Sequence, residues 1–303
     1  MVAGMFYPQK KISLEREIAV YLENSPVLPI SGTISGMVVP HAGYMYSGGV
    51  ATRAYRQIMD REIDVVAVIS PSHREYFTEI SIYDGYGYST PLGILPVEKT
   101  LAHQLAEASP QIILSEKGHR FEEHALEVQL PILQEVLSDF KIIPIVMGEH
   151  SYGNIETLAK ALAGVLAGRK ALLVASSDLS HFYNAKKAAV LDNVVIDDLK
   201  NFDDEKLFQD LQQGYCEMCG GGPAIAVMKA CKLLGANKSD VLIYRNSGDI
   251  TGEYEEVVVI VLAAGFSAFK AEAELIVDEA TYCTPTLPNC GCCEDSSFKV
   301  LIL

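Results

Sequence analysis

Positive charge is scarce in this chain: 24 Lys and Arg stand against 39 Asp and Glu, a formal net charge of −15 over 303 residues. That sign is wrong for tracking phosphates, which excludes nucleic acid and anionic membrane surfaces as general partners and leaves small molecules or proteins. Long apolar runs are missing as well. The longest, Val257 to Phe266, is too short to span a bilayer, and the amino terminus lacks the basic start and apolar segment of a signal peptide, so the expected compartment is the cytoplasm. Cysteine is sparse in the body, where Cys216, Cys219 and Cys231 are expected to be free thiols. Internal repeats, low-complexity segments and linkers are absent before about Lys270, so residues 1–270 are expected to form one domain. The remaining residues, 271–303, look like an appended extension. Cys283, Cys290, Cys292 and Cys293 fall there among Pro285, Pro288, Asn289 and Gly291, a composition that favours turns over packed structure.

What the chain does have is apolar material, 49% of its residues, arranged in two alternating periods. Helical spacing is legible at Ser13 to Glu23, Val50 to Met59, Leu101 to Ala108, Glu123 to Leu137, Ile155 to Ala167 and Ala185 to Leu199. Between them lie runs rich in β-branched residues: Thr33 to Val39, Asp64 to Ser70, Lys141 to Met147, Ala171 to Ser176, Val241 to Arg245 and Val257 to Ala264. Strands alternate with helices, and the strands are apolar nearly throughout. The expected fold is therefore α/β, a mostly parallel central sheet covered by helices on both faces.

Three of these strands end in polar residues. The run before Pro40 delivers His41 into a turn rich in glycine and tyrosine, the run before Pro71 delivers Ser72 and His73, and Ala171 to Ser176 leads into Ser177-Asp178-Leu179-Ser180-His181. The carboxyl edge of such a sheet is where α/β proteins gather ligands, and two histidines there suggest a metal. A lone histidine is more often an ordinary solvated or satisfied residue, and Asp178 could simply cap the helix that follows. Cys219 lies just ahead of a helix opened by Pro223, where the helix terminus is expected to favour the thiolate, although Cys216-x-x-Cys219 is by itself unspecific. His124 and Glu127, on neighbouring helical turns beside Glu123, are candidates for supporting or acid–base roles, with Pro131 expected to kink or restart that helix. No nucleophile-elbow glycines surround Ser177, which ranks a serine hydrolase low.

Taken together, Ala3-Gly4-Met5-Phe6-Tyr7-Pro8, Pro40-His41-Ala42-Gly43-Tyr44, Pro71-Ser72-His73, Glu123-His124, Ser176 to His181, Cys219-Gly220 with Pro223, and Asn246-Ser247-Gly248-Asp249 resemble the Memo family. That family belongs to the AmmeMemoRadiSam system and is related in fold to the class III extradiol ring-cleaving dioxygenases of the LigB type. The resemblance spans roughly Met1 to Phe266. It implies a metal held by His41, His73 and Cys219, with Asp178 and His181 in the same cleft and His124 close by. In this picture His181 moves a proton, Asp178 orients it or binds metal water, and Tyr44 or Tyr46 binds substrate. The implied cofactor is a non-haem metal ion, iron foremost, with copper or zinc as alternatives. The implied activity is that of a dioxygenase-like oxidoreductase. Cysteine stands where the dioxygenases carry a carboxylate, which counts against ring cleavage, and Ala125 stands where the family pattern has serine. Two other readings remain: a binding module that keeps the fold without turnover, with a protein partner such as a radical-SAM protein, and a zinc metallohydrolase.

Overall fold

Val65-Val66-Ala67-Val68-Ile69 offers no polar side chain to either face, so a strand built from it needs cover on both sides. The computed structural model describes residues 2–30, 32–258 and 261–268. In chain order the helices are α1 (Lys11–Glu23), α2 (Tyr44–Tyr55), α3 (Lys99–Ala108), α4 (Leu130–Val136), α5 (Tyr152–Leu166), α6 (Ala185–Lys200), α7 (Asp204–Gln213), α8 (Gly221–Leu233) and α9 (Gly248–Thr251). The strands are β1 (Thr33–Val39), β2 (Val65–Pro71), β3 (Ile80–Ile82), β4 (Gly87–Thr90), β5 (Gly93–Pro96), β6 (Ile112–Leu114), β7 (Lys141–Met147), β8 (Ala171–Ser176), β9 (His181–Tyr183), β10 (Lys238–Arg245), β11 (Val257–Val258) and β12 (Val261–Ala268). All fall within the compact unit Met1–Lys270. The cysteines expected in 271–303 lie outside the described residues.

The main sheet has eight strands in the order β10-β12-β1-β8-β2-β7-β3-β6. Its centre, β1-β8-β2-β7, is parallel throughout, while β12 and β10 on one side and the β7/β3 junction on the other are antiparallel. Alternate side chains enter separate cores, as the pleat requires. Val65, Ala67 and Ile69 of β2 pack with Leu105 of α3, Leu158 of α5, Leu199 of α6 and Ile225 of α8, whereas Val66 and Val68 pack with Ile18 of α1, Ala54 of α2 and Leu133 of α4. This two-sided burial explains the continuous apolar strands.

β1, β7 and β8 occupy the bounds expected from sequence. The run from Val257 divides: β11 pairs with β9 in a two-stranded sheet, and β12 joins the main sheet beside β1. The helix expected from Glu123 begins later, as a 3-10 turn at Glu127–Gln129 leading into α4. Phe121 and Glu122 hold left-handed backbone, with φ of 57° and 59°, and the Glu123 carboxylate accepts from the His124 and Ala125 amides, so that segment is a turn. α7 was not expected, because it is short and mostly polar, its buried face setting Leu207 between Asp204 and Asp210; its signals are the spacing of Leu207, Phe208 and Leu211, the Asp203 cap and the left-handed Gly214. Among the described residues no helix is long and apolar enough to cross a membrane.

Ile69 sits fully buried in the middle of the parallel core, while Ile12 on α1 is exposed. Ile69→Ala should lower the unfolding free energy by about 2–5 kcal/mol. Ile12→Ala should move it by less than about 0.5 kcal/mol in the same denaturant titration, and equal effects would contradict the packing described.

Candidate metal centre

Because β1, β8, β2 and β7 run parallel, their carboxyl ends share one edge, and each is followed by a polar residue at that edge: His41, Asp178, His73 and His150. Cys219 arrives from a different element, the turn ahead of α8. Its amide donates to the Asp178 carbonyl at 3.2 Å, the Asp178 amide donates to the Cys219 Sγ at 3.2 Å, and the Gly220 amide donates to Ser177 Oγ at 2.8 Å. Such proximity needs glycine: a Cβ on Gly220 would lie 2.2 Å from the Ser176 carbonyl, and one on Gly222 would lie 2.6 Å from the His150 ring.

The result is a cluster of donor atoms. One ligand atom each from His41, His73 and Cys219 lie within 4.8 Å of one another, with Cys219 Sγ 3.2 Å from His41 Nε2. A tetrahedral ion bonded at about 2.0–2.3 Å needs donors about 3.3–3.7 Å apart, so this set fits one with small side-chain adjustments. His73 is held by Glu123, whose carboxylate accepts from the His73 amide and, at 3.0 Å, from Nδ1. That arrangement directs Nε2 away from the carboxylate, as in many metal-binding histidines. His124 stacks between Phe6 (4.3 Å between centroids) and His73 (4.9 Å), and its buried Nδ1 has no hydrogen-bond partner.

Burial governs the charges here. It holds His41 well below its ordinary value, with His73, His124 and His181 adding like-charge repulsion, and it brings His124 down to about 4. Burial also pushes the Cys219 thiol up to about 12, and the Asp178 charge adds to the effect. The expected preference for thiolate at the α8 terminus is therefore corrected: desolvation outweighs the amide and hydroxyl donors, and without a cation the thiol stays protonated. The two carboxyls diverge. Burial acts to raise Glu123, but hydrogen bonds from the His73 ring and amide and the Ala125 amide hold it below its ordinary range. Asp178 rises to about 7 by burial despite amides from His41 and Ala42.

The structure brings together His41, His73, Cys219, Asp178 and His124; Asp178 Oδ2 is 3.9 Å from His41 Nε2. His181 stands on β9, its Nδ1 2.7 Å from the Leu179 carbonyl, and lines a cavity of about 430 Å³ together with Cys219, Met218, His150 and Phe208. Tyr44 does not reach a cleft. It is buried in the core and its hydroxyl donates to the Val128 carbonyl at 2.8 Å, which corrects its expected substrate role; Tyr46 is half-buried. Sequence reasoning missed His150, brought down to about 4 by burial and the nearby His73, although Met147-Gly148-Glu149-His150 repeats the pattern of strand, turn and histidine.

Comparison with known proteins supplies the identity. The family model for Memo-like proteins matches residues 1–263. The chain belongs to the Memo-like family. A MEMO1 family protein of Methanobrevibacter smithii is 35% identical over 269 residues, covering 85% of this chain and 95% of its own. Another, from Aquifex aeolicus, is 36% identical over 258 residues, covering 85% and 94%. A solved structure of an uncharacterized protein from Escherichia coli K12 shares the fold, with a TM-score of 0.52 at 15% identity over 77% of this chain and 99% of that one. Memo-like membership thus bears out the resemblance read from dispersed motifs.

Asp178 offers a direct test of the electrostatics. Folded at about 7 against an ordinary 3.8, it keeps a proton that the unfolded chain has already released between those values. Its contribution to stability is complete below about pH 4 and is lost as pH rises through about 7. Asp178→Asn keeps an acceptor for the His41 amide and should flatten that decline in the metal-free chain. An unchanged slope would mean that Asp178 is ionised throughout.

Proposed function

We propose that this Memo-like protein binds one non-haem metal ion through His41, His73 and Cys219, and that it is an oxidoreductase acting on a small molecule in the cavity beside Cys219. Iron is the first candidate, with copper or zinc as alternatives. The observation that supports this reading is the convergence of two imidazoles and a thiol within 4.8 Å at the carboxyl edge of the sheet. When bound, such an ion supplies Lewis acidity and, if redox-active, electron transfer at an open coordination position. The chain's own residues supply the rest. Glu123 orients His73; Asp178, near 7, can hold or release a proton at neutral pH; His181, with Nδ1 engaged by the Leu179 carbonyl, can present Nε2 to the cavity as a proton acceptor.

A second reading, a protein-binding module, draws on a different feature. Phe121 and Phe182 flank Glu123 and His181 in sequence, are exposed, and stand on left-handed backbone with φ of 57° and 64°. Strained backbone displaying aromatic side chains fits a docking role. A radical-SAM protein is the partner class proposed for it, on the strength of the family resemblance alone.

Elemental analysis after anaerobic purification, paired with an oxygen electrode, separates the readings. The oxidoreductase requires about one iron or copper per chain, lost in His41→Ala and Cys219→Ser, with metal-dependent oxygen uptake. Normal metal content in both variants would remove the site. Metal without oxygen uptake would shift weight to the binding module, or to a hydrolase if the ion were zinc.

Metal affinity should also depend on pH. Burial holds Cys219 protonated up to about 12, so coordination must displace that proton. Zinc affinity, measured against a competing chelator, should rise about tenfold per pH unit between about pH 8 and 9. A flat profile would show that the thiolate exists before the ion arrives.

A further inference from the structure

Gln129 lies fully buried in the 3-10 turn ahead of α4, and Ser176, fully buried at the end of β8, lies opposite Val39 in the sheet. A primary amide in an apolar core is costly unless it is hydrogen-bonded. This one is engaged on both sides. Its Nε2 donates to the Pro40 carbonyl at 2.7 Å and to Ser176 Oγ at 2.8 Å, while its Oε1 accepts from the Tyr55 hydroxyl at 2.9 Å. Ser176 Oγ in turn donates to the Ala125 carbonyl at 2.6 Å and lies 2.9 Å from His41 Nδ1.

Those partners leave a single solution. A serine hydroxyl has one hydrogen and two lone pairs. The Ala125 carbonyl can only accept, so it takes the hydrogen. The Gln129 amide nitrogen can only donate, so it takes one lone pair. What remains for His41 Nδ1 is the second lone pair, and Nδ1 must therefore carry the proton. In a neutral imidazole that leaves Nε2 unprotonated, facing Cys219 Sγ at 3.2 Å. The device has an opponent. The Asp178 Oδ2 atom, 3.9 Å from His41 Nε2, would draw the proton to that nitrogen if nothing held it on the other.

We propose that Gln129 and Ser176 are positioning residues which fix His41 in its Nδ1–H form, aim its Nε2 lone pair at the space shared with Cys219, and so raise the site's metal affinity. The metal part of this inference rests on the function proposed above; the ring-proton part does not. His73 reaches the same state through a carboxylate, whereas His41 reaches it through a neutral relay of amide, hydroxyl and carbonyl.

The test uses the metal-free full-length chain with nitrogen-15-labelled histidine. Long-range proton–nitrogen correlation reads which ring nitrogen carries the proton, and the His41 signals are those lost in His41→Ala. Wild type should show His41 protonated on Nδ1. Ser176→Ala, a small change that removes the acceptor, should shift His41 toward the Nε2–H form while leaving His73 unchanged. Gln129→Met, which keeps the volume, should shift it in the same direction. Cobalt(II) affinity, followed by the sulfur-to-metal charge-transfer band, should fall about 10- to 100-fold in Ser176→Ala. An Nε2–H ring in wild type would overturn the proposal, as would cobalt affinity in Ser176→Ala within about threefold of wild type. Failure of wild type to bind cobalt with Nδ1–H intact would instead overturn the metal reading.

Discussion

The site depends on one backbone contact, the meeting of the turn ahead of α8 with the end of β8. Cys219 and Asp178 exchange bonds there: each amide donates to the other residue, one to a carbonyl and one to sulfur. Gly220 permits the approach because any Cβ would collide with the Ser176 carbonyl. The thiol is thus carried to His41 by main-chain geometry, and the parallel register of β1, β8 and β2 does the same for His41, Asp178 and His73. A cluster assembled this way is pre-organised, since its members are fixed by sheet and helix ends rather than by flexible side chains.

Neutrality is the second constraint. Three imidazole rings lie with centroids 4.9–5.3 Å apart, and in a desolvated space they cannot all carry charge. Against this background Glu123 and Asp178 take different roles. Glu123 stays anionic because the amides and ring around it favour its charge, so it is a fixed orienting group. Asp178 lacks enough such bonds to offset its burial, so it changes protonation near neutral pH. One fold edge therefore holds a permanent acceptor beside His73 and a variable one beside His41.

Much of this was legible in the sequence, for physical reasons that also mark the limits. Apolar runs buried on both faces gave β1, β7 and β8 their bounds, and prolines at the strand ends flagged His41 and His73. Tyr44 misled because its glycine-rich surroundings look like a loop, yet they form the first turn of α2, which carries position 44 into the core. The partnerships of Glu123 with His73, and of Gln129 with Ser176 and Pro40, join residues distant in sequence and leave no local period to read. His150 did carry a readable pattern, but the intervening Gly148-Glu149 separates it from the strand without the proline break that marked the others.

A thiol rather than a carboxylate beside two histidines sets the resting state of this cluster. A carboxylate beside two histidines would place a negative charge there before any ion arrived, and a buried charge without a partner is costly. The Cys219 thiol adds none: it is protonated, accepts from the Asp178 amide, and sits beside an imidazole nitrogen able to accept its proton. His41 is likewise satisfied by Ser176, and His73 by Glu123. Each donor therefore has a protein partner of its own, and the fold around it rests on the apolar layers of the sheet. That separates this architecture from small metal-dependent domains, in which ion binding supplies the folding energy itself. Here the fold builds the site first, and an ion would replace the Cys219 proton and the contact of Sγ with His41 Nε2 within a frame already standing.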